Sequence, residues 1–363
     1  MTEGGAQDPG AAGLDPDAAQ RVIEHCYEQG WSDGLPLVPA SQPLVEAFLA
    51  HTSREPGEVI GSLEQVGRDC TVYLAAVNAA MAGCRPEYFP VVLAAFRALM
   101  AERAARGGGW QSTSGPAPLI VVNGPVRHEL GFNSAGGVFG PGFRANATVA
   151  RAIGLIVRNA FGIHPQVLEQ ATQGIPGRWS ICIGENEESS PWDPWCTDGG
   201  LAAGTSAVTA TLLRTCEFVD NRHSHHAEDV LWDLAGTISR TGAQIFREAS
   251  TGLVLCPEHA QMLAAAGYSK PDVQAWLIER CGSTPAALRR AGKGDLSKLT
   301  PADEERQPDA ISPLMSGPGQ LPIIVAGARN AAISMVVRIF GEWSGKSVPV
   351  ETPDRARAAA AAR

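Results

Sequence analysis

Five short apolar runs punctuate this chain: LIVV at 119–122, WSICIG at 179–184, SAVTATLL at 206–213, GLVLC at 252–256 and LPIIVAG at 321–327. Runs of this length are too short for ordinary helices, and the continuous ones fit strands covered on both faces. Around them apolar residues recur at helical spacing, which predicts helices at 18–29, from Ser41 onward, 70–82, 86–106, 145–160, 224–239, 258–266 and 270–280. Strands interleaved with helices predict an α/β fold, with a mixed or mostly parallel sheet covered by helices in one body or two sub-domains. No internal repeat shows in the sequence.

With 363 residues, 44% of them apolar, the chain is long enough for one large or two ordinary domains. Residues 1–17 and 351–363 offer little to bury and read as disordered tails. Between them, 18–110 reads as a helical N-terminal region and 111–350 as the α/β core, with a long surface excursion at 284–320. A net charge of -9 and the lack of a basic stripe argue against a nucleic-acid partner. No apolar run reaches the roughly 18 residues of a membrane span. The chain opens without the pattern of a signal peptide, so the cytoplasm is the expected location. Eight cysteines lie singly, with no C-x-x-C pair, and point to reduced, mostly buried thiols.

Chemistry concentrates in a few stretches. NSAGGVFGPGFRAN (133–146) places Gly136, Gly137, Gly140 and Gly142 just before a helix, with Asn146 or Thr148 as the expected cap. Main-chain N–H groups at a helix start, with the Arg144 guanidinium beside them, would cradle a carboxylate or phosphate. The spacing is neither a Walker loop nor a dinucleotide fingerprint, so no nucleotide cofactor is expected. Asn123, at the end of the first run, should face the same crevice as Asn133, because ligands of open α/β sheets bind beyond the carboxyl ends of strands. Glu185, Glu187 and Glu188, in GENEESSPW, are crowded carboxylates suited to acid–base work or to a divalent cation, Glu185 and Glu187 being the catalytic candidates.

DNRHSHHAEDV (220–230) resembles a ligand set for a metal. With a helix starting near Ser224, His225 and Asp229 would share one face, His223 and His226 would flank them, and Glu187 or Glu217 could complete the site. Asp33, in GWSDGLPLVP, could project into the crevice. Cys84, just before Arg85, could be an activated thiol.

Several stretches together, WSDGLPLVP, NAAMAGCRPEYFPVVLAA, LIVVNGP, GFNSAGGVFGPGFRANATVARA, ENEESSPW, LCPEHAQMLAAAGYSKPDVQAWL and PIIVAG, resemble a family of bacterial proteins found alone or beside proteins with a UGSC selenocysteine or cysteine motif. The likeness spans most of residues 20–350 and implies thiol or selenol redox chemistry nearby. This chain departs from the pattern at CEFVDN, where a histidine is expected near Glu217, and its own CGST at 281–284 has a different order from UGSC.

The leading expectation is therefore an enzyme acting on a small anionic metabolite by lyase, hydratase or hydrolase chemistry. Arg144, Gly140, Gly142, Asn146, Asn123, Asn133 and Asp33 would bind, and Glu185, Glu187, His226 and Cys84 would be the catalytic candidates. A non-catalytic partner of a thiol or selenol redox protein is the second reading. A metal-dependent enzyme using His223, His225 and Asp229 is the third, with a divalent ion as cofactor. A homo-oligomer is expected, since helices such as 86–100 are apolar enough to be core or interface.

Overall fold

The computed structural model of the chain describes residues 15–351. Its strands are β1 (Val59–Leu63), β2 (Arg68–Thr71), β3 (Ala117–Asn123), β4 (Cys182–Gly184), β5 (Ala207–Asp220), β6 (Thr251–Leu255), β7 (Gly282–Ser283), β8 (Ser312–Pro313), β9 (Ile323–Val325), β10 (Ile333–Ile339) and β11 (Ser347–Pro349). The longer helices are α1 (Pro16–Glu28), α2 (Gln42–Leu49), α3 (Val72–Met81), α4 (Phe89–Ala101), α5 (Arg144–Asn159), α6 (Ala227–Ile238), α7 (Pro257–Ala265) and α8 (Lys270–Arg280). Local chemistry starts several of them. Proline stands in the first two positions of α1, α2, α4, α7 and α8, where its missing N–H costs nothing. Ser269 and Asp272 exchange side-chain and backbone bonds as a capping box on α8.

The α/β expectation holds, with a mixed sheet. Seven strands make one sheet in the order β4-β3-β5-β10-β6-β9, and β11 adds to β5. The β3/β4 and β6/β9 pairs are parallel, and the remaining pairs are antiparallel. The sheet curls until its two edges meet, where the Asn186 N–H donates to the Val325 carbonyl at 2.7 Å. Alternate residues sort to two sides, as the two-residue period of a strand requires. Leu119, Val121, Ile183, Val254, Ile324 and Val337 fill the inside of the curl with Trp195. Ile120 and Val122 face α3, α4 and α5 outside one half. Leu253, Leu255, Ile323 and Val336 face α6, α7 and α8 outside the other.

A topological repeat emerges that the sequence hides. The unit β3, α5, β4, β5 and the unit β6, α7 with α8, β9, β10 have the same order, the same parallel outer pair and the same antiparallel inner strand. The two inner strands, β5 and β10, pair with each other.

Several boundaries differ from expectation. The helix expected from residue 18 begins at Pro16, capped by Asp15, inside the stretch read as a tail. Residues 1–14 and 352–363 lie outside the described residues, while Glu351 is held by Arg54 and Arg97. The region 18–110, expected to be helical, also holds the β1/β2 hairpin. Strand 206–213 runs on to Asp220 because β10, which has no counterpart among the five runs, pairs along it. The excursion at 284–320 sends Leu288, Leu314 and Met315 into buried positions. No helix among the described residues is long and apolar enough to cross a membrane.

Candidate functional site

The carboxyl ends of β3 and β4 lie side by side, and a polar cluster forms there. Asn123 ends β3, and Gly124 then adopts φ +77 with its α-carbon so close to Thr205 that a Cβ would lie 2.4 Å from the Thr205 carbonyl oxygen. Only glycine allows both that backbone and that approach. The turn continues through Pro125 into a single helical turn (Val126–Glu129) that carries Arg127 inward, its side chain 2% exposed. At the end of β4 the chain delivers Glu185, 1% exposed, and Glu187, 17% exposed at its side chain.

Asn123 joins the two glutamates, its amide donating to Glu185 Oε2 at 2.7 Å and to Glu187 Oε1 at 3.0 Å. Glu187 also accepts from the Gly124 N–H at 2.7 Å. Glu185 accepts from the Trp195 N–H at 2.8 Å and from the Val325 N–H at 3.4 Å, so it bridges the seam where β4 meets β9. Arg127 contacts Glu187 Oε2 at 3.1 Å and grips Glu188 through both terminal nitrogens, at 2.9 and 3.1 Å. It also donates to the carbonyls of Gly124 and Glu185.

These surroundings set the protonation states. Burial pushes the Glu185 carboxyl up to about 7, against the pull of Asn123, Lys270 and the two N–H donors. The Arg127 guanidinium holds Glu188 down at about 2. Lys270 opens α8 and donates to Asp198 Oδ2 at 2.9 Å and to the Asp193 carbonyl at 3.2 Å. Cys196 sits in the field of the same glutamates, and burial followed by their charge pushes its thiol up to about 12. Two buried polar atoms here, Asn123 Oδ1 and Trp195 Nε1, have no partner.

Three of the expected site residues, Asn123, Glu185 and Glu187, are thus brought together. Asn133 and Asn146 support them from behind. The Asn133 carbonyl accepts from the Gly184 N–H at 2.8 Å, and the Asn146 amide donates to the carbonyls of Asn133 and Cys182 at 3.1 and 2.9 Å.

The glycine-rich loop differs from expectation. Helix α5 starts at Arg144, and neither Asn146 nor Thr148 caps it: Asn146 points into the core and Thr148 bonds back to the Arg144 carbonyl. Gly140 and Gly142 are exposed, and Arg144 donates to the Gly83 carbonyl at 3.0 Å, with no hydrogen bond to Asn123, Glu185 or Glu187. The loop lines none of five well-defined cavities.

Other candidates separate. Asp33 makes a two-pronged ion pair with Arg151 at 2.7 and 2.8 Å, and that pairing sets its direction. Cys84 is buried, and desolvation pushes its thiol up to about 12, so the expected activation by a cation fails. Helix α6 starts at Ala227, three residues later than predicted, so His225 and Asp229 do not share a helical face. Asp229 instead accepts from Ser224 at 2.8 Å. No hydrogen bond links His226 to Glu185 or Glu187, and Glu217 is occupied by Arg338 and Arg240. Among the described residues no group of three or more His, Cys, Asp and Glu is placed to hold a metal ion, so nothing supports the reading of His223, His225 and Asp229 as ligands.

A second polar cluster, missed in the sequence, occupies the matching place in the second unit, where β6 runs into α7. The His259 Nε2 atom lies 3.2 Å from the Asn221 carbonyl, which can only accept, so Nε2 carries the proton and Nδ1 accepts from Ser334 Oγ at 2.7 Å. The Cys256 N–H donates to the same hydroxyl at 3.0 Å, and the Cys256 sulfur caps α7 by accepting from the His259 N–H. His259, Ser334 and Cys256 are 0%, 1% and 3% exposed. Burial holds the imidazole neutral and the thiol protonated.

Arg127 was legible only as the cation three residues after an Asn-Gly turn, and Lys270 only as a helix-start residue; neither position signals burial. No family model, no curated protein and no solved structure matches the chain.

Proposed function

We infer that the chain is an enzyme acting on a small anionic metabolite by acid–base chemistry at the carboxyl ends of β3 and β4. One observation carries the reading: Glu185, buried and poised at about 7, is tied through Asn123 to the more accessible Glu187. A carboxyl that changes protonation near neutral pH is matched to proton transfer. Glu187 is the group that meets the substrate, and Glu185 is the buried carboxyl that tunes it through the shared Asn123 amide. Arg127 supplies the cation. Glu188, its more exposed partner at 55%, is the one that an incoming carboxylate replaces. The unpartnered Asn123 Oδ1 and Trp195 Nε1 lie buried behind these groups.

Lyase, hydratase or hydrolase chemistry fits these groups. The carboxyl stretch in difference infrared spectra, wild type against Glu185→Gln, should titrate near pH 7. A Glu185 signal fully ionised by pH 5 defeats the reading. Incubation with a panel of small hydroxy and keto acids in D2O should show exchange of a carbon-bound proton for one of them, lost at least a hundredfold in Glu187→Gln. Equal exchange by that variant removes Glu187 from the chemistry.

A further inference from the structure

At the opposite end of β3 from the Glu185 cluster the chain builds a cavity. The β5/β10 ladder pairs Thr215 with Arg338 and then Leu213 with Ile339, so Arg214 is an extra, bulged residue. Bulges re-aim side chains and favour functional sites. The arginine lies beyond the last β3 pairing, Ala117 with Leu213.

Its electrostatic situation sets it apart. Arg214 is half-buried, whereas three arginines with largely covered side chains have carboxylates: Arg127 has Glu187 and Glu188, Arg178 has Glu169, and Arg338 has Glu217. Arg214 makes no ion pair among the described residues, although Glu248 and Glu342 line another, smaller cavity with it. Its one hydrogen bond reaches the Ala243 carbonyl at 3.4 Å, and its Nε is buried without a partner. Burial, with Arg338 nearby, opposes its charge. A desolvated cation lacking an anion is costly unless something supplies one.

The cavity beside it, about 380 Å³, offers what an anion needs and no carboxylate. Thr113, Ser114, Thr172 and Gln173 line it together with Arg214 and Cys216. None of those three hydroxyls, nor the Gln173 amide, makes a hydrogen bond within the described residues. The wall is firmly built. Thr172 N–H bonds the Thr113 carbonyl at 2.9 Å, Ile175 N–H bonds the Gly115 carbonyl at 3.1 Å, and a Cβ on Gly115 would sit 2.5 Å from the Gly174 α-carbon.

We propose that Arg214 and the hydroxyls of Thr113, Ser114 and Thr172 form a binding site for a small anion bearing a carboxylate or phosphate group. The site is separate from the Glu185 cluster and stands or falls without it.

Cys216 gives a local reporter, because it lines the cavity and is the one cysteine among the described residues that is not fully buried. The full-length protein is titrated calorimetrically with inorganic phosphate and, separately, with malonate, each against sodium chloride of matched ionic strength. Iodoacetamide labelling at Cys216 is followed by mass spectrometry. One of the two anions should bind saturably, one per chain, and slow Cys216 labelling at least fivefold. Arg214→Gln should weaken that binding at least tenfold. If that variant does not fold, Ser114→Ala with Thr172→Val, both on surface loops, should weaken it at least threefold. The proposal is overturned if neither anion binds beyond the chloride control, or if the folded variant binds as the wild type does.

Discussion

The two βαββ units share a topology and fill the ends of their strands with opposite chemistry. The first ends in charge: Arg127, Glu187 and Glu188 surround a buried carboxyl at about 7. The second ends in neutral groups: an imidazole, a hydroxyl and a thiol that satisfy one another with almost no exposure. Ser334 and His259 stand at the distance of a nucleophile and its base, yet they are 1% and 0% exposed while Glu187 keeps 17% of its side chain exposed; neither cluster lines any of the five well-defined cavities. The difference teaches that a catalytic-looking pair is judged by access and by protonation, and that a scaffold can spend one of its two strand ends on locking the core. The first cluster keeps one carboxylate, Glu187, with 17% of its side chain exposed and two unpartnered buried polar atoms, while every polar side-chain group of the His259 pair has a partner.

That contrast can be broken by mutation. The largest effect is expected for Arg127→Ala, which strands Glu187 beside a buried network and removes donors from two carbonyls. It should cost about 3–5 kcal/mol in urea unfolding, and a cost under about 1 kcal/mol would show that the cation is not integral to the cluster.

Next comes pH. The folded-state value of Glu185 is raised from 4.5 to about 7, so between those values the folded protein holds a proton that the unfolded chain has lost. Stability from this group is therefore full below about pH 4.5 and is lost as pH rises to about 7, by roughly 3 kcal/mol. Glu185→Gln should lack this loss, so the wild-type minus variant stability should fall across that window. A difference that is flat with pH contradicts the raised value. The paired carboxylates Glu188 and Asp33 slope the other way and cancel in the comparison.

In the neutral cluster Ser334→Ala leaves the Cys256 N–H and His259 Nδ1 unpaired, and should cost about 1–3 kcal/mol without a pH dependence like that of Glu185. A loss exceeding that of Arg127→Ala would invert the comparison. The smallest change, about 1 kcal/mol, is expected for Cys256→Ala. Native Cys256 should also resist iodoacetamide at pH 7.5 in conditions that label it fully in urea.

Much of the architecture could be read locally. The five apolar runs each yield a strand, because a strand buried on both faces needs apolar residues at every position. The pairs β1/β2 and β10 escaped. Val59–Leu63 has only one buried position, and β10 alternates buried and half-buried positions at its start. Asn123, Glu185 and Glu187 could be named as candidates because each stands at or just past the end of an apolar run, beside a turn residue. The anion cradle at Arg144 and the histidine cluster were plausible for the same local reasons. The structure lends them no support: Arg144 bonds the Gly83 carbonyl, and α6 begins at Ala227 rather than near Ser224.

By itself the sequence determined the α/β alternation, the approximate place of most helices and which residue types could do chemistry, since hydrophobic period and residue chemistry act over a few positions. Only the tertiary structure decided that Asn123 would meet Glu185 across 62 residues, that Arg127 would be buried beneath them, and that Arg214 would be left without an ion pair among the described residues. Those outcomes depend on how far the sheet curls, on strand order and on a single bulge. They are collective consequences of packing that no local pattern encodes.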